Sequence, residues 1–93
     1  MVRRRYAAVI AALAALRADS EYRLRLENPP DMQFLSFRQQ VDFIELRCME
    51  LNPEARAQEE VRHRLEHLRA LANGSLATFA PLVERARAAL DVA

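Results

Sequence analysis

The side chains of this sequence that could carry chemistry are few and scattered. Glu60-Val-Arg-His63 has the Glu-x-x-His spacing that sets a carboxylate and an imidazole on one helical face, as dinuclear metal sites need, and His67 follows one turn later. Further carboxylates would have to come from a neighbouring helix. An antiparallel hairpin turning about Asn52 would bring Glu45 level with Glu59 and Asp42 level with Arg62. The heights suit a site but the direction does not. Val61, Leu65, Leu68 and Leu71 mark the packed face of that helix, so His63 and His67 fall on the far side. A solvated face of Arg, Glu and His is expected there, and no metal. Cys48 falls on an apolar helical face, where a thiol is a small inert hydrophobe, and Ser20, Ser36 and Ser75 have no base beside them. Arg17, Arg38 and Arg64 adjoin apolar stripes, as cations of an anion-binding helical enzyme would. Ion pairing with Asp42, Glu45 or Glu66 accounts for them more simply. No enzyme and no cofactor is expected.

Composition closes several other routes. With one glycine, Gly74, the chain has no glycine-rich phosphate loop and no nucleophile elbow. With one cysteine it has no disulfide framework and no cysteine-based zinc site, which suits a reduced, cytoplasmic protein. All 14 basic residues are Arg, and Ala plus Leu form about a third of the chain, a signature of GC-rich, bacterial-type coding. Net charge is +1, far from the strongly basic footprint of a dedicated nucleic-acid domain. The charge is unevenly spread. Residues 1–26 carry six Arg against two acids, 27–60 three against eight, and 61–93 five against three. A basic end and an acidic middle can satisfy one another within a chain or across a dimer. The alternative to a protein partner is nucleic acid held by Arg3, Arg4 and Arg5, but three charges give modest, salt-sensitive attraction and only Tyr6 is near for base stacking.

The same arginines, followed by the apolar run Tyr6–Leu16, imitate a secretory signal or an organelle presequence. Against this, Val2, Tyr6, Val9, Leu13 and Leu16 share one stripe at about 100° per residue, as in an amphipathic structural helix. A run of eleven residues is also too short for a membrane span, which takes about twenty.

Helix punctuation divides the rest. Asn28-Pro-Pro-Asp31 ends one helix and Asp31 caps the next. Asn52-Pro53-Glu54 is a second start signal, Asn73-Gly74 a stop, and Thr78 a cap for a last helix carrying Pro81 in its first turn. The expectation is a single all-α domain over 1–93, a bundle of four helices at about 3–27, 32–51, 53–72 and 79–91. Glu21–Glu27 resists it, because polar and apolar residues alternate strictly, as in a half-buried strand. The i,i+4 pairs Asp19–Arg23, Glu21–Arg25 and Arg23–Glu27 favour a helix. A strand would need its own copy to pair with, the arrangement of ribbon-helix-helix DNA binders, yet the helix that follows is too long for that order.

The helix at 32–51 is apolar over much of its circumference. Phe34, Phe37, Val41, Ile44, Cys48 and Leu51 form one face, Leu35, Leu46 and Met49 another, and Phe43 projects elsewhere. Arg38, Asp42 and Glu45 lie between the two apolar strips. Such a helix must be covered from more than one side, so in a bundle of this size it is either the central helix or part of an oligomer seam. These features predict a non-enzymatic protein–protein interaction module of the adaptor, chaperone, inhibitor or regulator type, completed by homodimerisation or by another protein. Its contact residues are Phe37, Phe43, Leu46 and Met49, with Arg38 and Glu45 setting register.

Overall fold

The structure is a computed structural model that describes residues 6–28, 31–50 and 55–92. Its helices are α1 (Ala7–Ala18), α2 (Ser20–Glu27), α3 (Met32–Cys48), α4 (Ala55–Leu71) and α5 (Ala80–Asp91), with a 3₁₀ turn at Gly74–Phe79 between the last two. No strand occurs among the described residues. The chain is all-α, with a radius of gyration of 13.1 Å, close to the ~12 Å of a compact domain this long.

The expected stripe of the first helix is the buried one: Tyr6, Val9, Leu13 and Leu16 are all sealed from solvent, with Ala12 beside them. Its principal neighbour is α5, while Ala7, Ala8, Ala11, Ala14 and Ala18 on the remaining circumference face solvent. Val2 falls outside the described residues.

The single helix expected over 3–27 is two helices. Asp19 leaves the helical region, at φ −59° and ψ 135°, and its carboxylate accepts hydrogen bonds from the backbone N–H groups of Glu21, at 3.0 Å, and Tyr22, at 3.2 Å. Asp competes with the helix for such donors and is strongly favoured as an N-cap. It therefore caps α2 rather than pairing with Arg23. Of the three expected i,i+4 pairs only Glu21–Arg25 forms among the described contacts, at 3.1 Å. Glu21–Glu27 is helical, the reading its i,i+4 spacing favours over a strand, and the break redirects it so that Tyr22 is buried while Leu24 and Leu26 face outward.

Asp31 caps α3 as expected, accepting from the Phe34 N–H at 2.7 Å. The helix ends at Cys48, earlier than 51, and the Met49 N–H bonds back to the Glu45 carbonyl at 3.0 Å. The Asn52-Pro53-Glu54 start signal lies outside the described residues. Arg47 to Glu60 at 2.7 Å and Arg64 to Gln40 at 3.3 Å tie α3 and α4 as an antiparallel pair, in the register expected for a turn about Asn52.

Asn73-Gly74 is the stop that the sequence indicates. Gly74 takes the left-handed conformation, φ +54°, which costs a glycine little. The cap expected at Thr78 is not used. A 3₁₀ turn runs through it to Phe79, and α5 starts at Ala80 with no side-chain cap and Pro81 in its first turn. In a 3₁₀ turn residues i and i+3 eclipse, so Leu76 and Phe79 point the same way, and both are fully buried. Phe79 joins Tyr22, Phe34 and Phe37 in an aromatic cluster. The Tyr22 ring meets Phe34 edge-on at 5.2 Å and Phe79 at 5.7 Å.

Candidate functional site

α3 lies between α1 and α4, and three sets of its residues meet three different environments. Phe34, Phe37, Val41, Ile44 and Cys48 are buried in the core. Phe37 is completely covered, with its ring 5.5 Å from that of Phe79. It is therefore a core residue and not the contact residue expected, because α2 and the 3₁₀ turn close over that face.

The opposite face remains open. Met32 is 77% exposed, Leu46 71%, Met49 43% and Phe43 37%. Leu35 is half-buried in the same row, and Gln39 and Asp42 are exposed between the apolar residues. Phe43, read from the sequence as projecting elsewhere, is exposed beside Leu46 and Met49. Met32 and Leu35 belong with them. The signal for both was legible in the sequence: 32, 35, 39, 42, 46 and 49 follow the alternating three- and four-residue spacing of a helical seam.

Charged groups border this face on both sides. Toward α1, the Arg17 guanidinium bridges Asp42 at 2.8 Å and Glu45 at 2.6 Å. Burial works against the Arg17 cation, but hydrogen bonds and charge from Glu45 and Asp42 outweigh it and hold its pKa above the usual value. Arg38 stands half-exposed, with only a loose 3.8 Å approach to Asp42. The basic N-terminal third and acidic middle thus meet within one chain through Arg17. Toward α4, the Arg64 guanidinium lies over the Phe43 ring, 3.8 Å from its centroid. Cation–π contact of this kind holds the ring in place while leaving its edge in solvent. Arg64 pairs with Phe43 and Gln40, and Glu66, expected as one of its partners, bonds instead to Arg87 at 2.5 Å.

The chemistry-bearing residues weighed in the sequence are dispersed. His63 and His67 are exposed on the outer side of α4, where the sequence places them, and Glu60 is occupied by Arg47. Among the described residues, no group of three or more His, Cys, Asp or Glu is placed to hold a metal ion. Burial, with the nearby Glu45 charge, pushes the Cys48 thiol up to about 11. A cleft of about 60 Å³ between α4 and α5 is lined by Arg62, Glu66, Arg87 and Asp91, which are committed to one another through Arg62–Asp91 at 3.1 Å and Arg87–Glu66. Arg3, Arg4 and Arg5 lie outside the described residues. No helix among the described residues is long and apolar enough to cross a membrane. No known protein family, curated protein or solved structure matches this chain.

Proposed function

We propose that this chain is a non-enzymatic helical protein–protein interaction module, working in the reducing cytoplasm, whose contact surface is the outward face of α3. The observation that carries this reading is the row of Met32, Leu35, Phe43, Leu46 and Met49 left open on a helix whose opposite face is packed into the core. Single exposed apolar residues are ordinary on protein surfaces, whereas here two apolar clusters, Met32 with Leu35 and Phe43 with Leu46 and Met49, share one helix face on either side of Gln39 and Asp42. Leu46 and Met32 would each release most of their apolar area from water on docking, worth roughly 1.5 to 3 kcal/mol for a fully buried side chain of this size. Arg38 and Glu45 stand on the rim, where they orient a partner.

Phe43→Asp tests this reading without unfolding the chain, because the new carboxylate meets Arg64 where the ring lay. The variant is expected to keep its helical circular dichroism and to lose its assembly or partner, with Leu46→Asp doing the same. Retention of assembly and partner by both variants would overturn it.

A further inference from the structure

Resting on the outward face of α3 as the contact surface, we infer that its occupant is a second copy of this chain, with the two α3 helices packed antiparallel about a twofold axis between Gln40 and Val41. The row Met32, Leu35, Gln39, Asp42, Leu46, Met49 has the spacing of the a and d positions of a heptad seam. It is also symmetric in chemistry about its middle. Reversed on itself, it sets Met32 against the partner's Met49, Leu35 against the partner's Leu46, and Gln39 against the partner's Asp42. Those are the pairings of a with d that antiparallel helices make. Four outer layers are then apolar and the two central layers polar, an arrangement that fixes register because any slip buries Gln39 or Asp42 against Leu or Met. The Gln39 amide donates to a carboxylate that Arg17 already compensates from its own chain.

Charge along the rim selects the direction. The flank toward α1 carries Arg38 toward one end and Glu45 toward the other. A twofold axis brings like flanks together, so antiparallel packing places Arg38 near the partner's Glu45, twice. Arg38 has reach to spare, being half-exposed with only its loose contact to Asp42. Parallel packing would instead put Asp42 against the partner's Asp42 and forfeit the rim pairs. The seam from Met32 to Met49 is about 26 Å long at about 1.5 Å per residue, enough for several layers of side chains.

The test is sedimentation mass together with site-specific crosslinking. The unmodified chain is expected at twice 10.7 kDa. An oxidised mixture of Leu35→Cys and Leu46→Cys chains is expected to give a disulfide-linked heterodimer, while either variant alone gives little. Met32→Cys with Met49→Cys provides a second pair on more exposed positions, should Leu35→Cys disturb folding. Arg38→Glu is expected to raise the dimer dissociation constant at least tenfold. A dimer that crosslinks through Leu46→Cys alone, or through neither mixed pair, would overturn the antiparallel seam. A monomer at every concentration would overturn self-pairing itself. If such a monomer captured a different protein through α3 and lost it on Leu46→Asp, the interaction reading would stand while the self-pairing fell.

Discussion

Cys48 is the one thiol of the chain and its surroundings define its behaviour. It is 1% exposed on the core face of α3, and burial, helped by the nearby Glu45 charge, holds its pKa at about 11. A thiol reagent at pH 8 is expected to label Cys48 only as fast as the protein unfolds, so the labelling rate follows the unfolding rate across added urea. Fast labelling without denaturant would place the thiol at the surface. The same burial couples stability to pH. Cys48 rises from 9.0 to about 11 and Tyr22, chiefly by desolvation, from 10.0 to about 12. Both groups bind their protons more tightly when folded, so their contribution is fully present below the unfolded values. It is lost as pH climbs from about 9 toward the folded values, on the order of 2 kcal/mol for the thiol alone. The melting temperature should therefore fall steeply above pH 9, and less steeply in Cys48→Ala. The placement of Cys48 was legible from its position in the Phe34-Phe37-Val41-Ile44 stripe. Phe37 lies in the same stripe, so its burial was equally legible there, against its assignment as a contact residue.

Among the elements, the break between α1 and α2 carries the most information. The sequence offers Asp19 as a partner for Arg23 along one continuous helix, and the structure uses it as a cap. A cap satisfies two backbone donors that would otherwise go unbonded, whereas an exposed i,i+4 pair contributes only about 0.3 to 0.5 kcal/mol. The redirected α2 delivers Tyr22 to Phe34 and Phe79, and Arg25 reaches the Ser75 carbonyl at 2.7 Å while lying over the Phe79 ring. Asp19→Ala is expected to lower stability by about 0.5 to 2 kcal/mol, read as a shift in the urea midpoint. Asp19→Asn should recover most of it, since an amide oxygen caps nearly as well. Equal loss in both variants would mean that charge, not capping, is what Asp19 provides. The strict alternation of Glu21–Glu27 misleads because only one of its three apolar residues is needed inside.

At the scale of the whole molecule, the core and the ion pairs contribute very differently. Phe79 seals the junction of α2, α3 and the 3₁₀ turn, whereas Arg87 binds Glu66 and Glu84 at the surface, where solvent screens charge. Phe79→Ala should therefore cost about 3 to 5 kcal/mol, enough to threaten folding in a chain this small. Arg87→Ala should cost under about 1 kcal/mol. Comparable losses in urea denaturation would mean that the surface network carries far more than its exposure allows. What the residues determine alone is the all-helical class, the caps and stops at Asp31 and Gly74, and the stripe on each helix, because these follow from backbone preferences and a 3.6-residue period acting over a few neighbours. Periodicity gives the angle between two side chains around one helix, but not the angle at which another helix arrives. Only the tertiary structure decided that α2 and the 3₁₀ turn close over Phe37, and that α1 and α4 flank α3 so as to leave Phe43, Leu46 and Met49 outside, because that depends on contacts between residues distant along the chain.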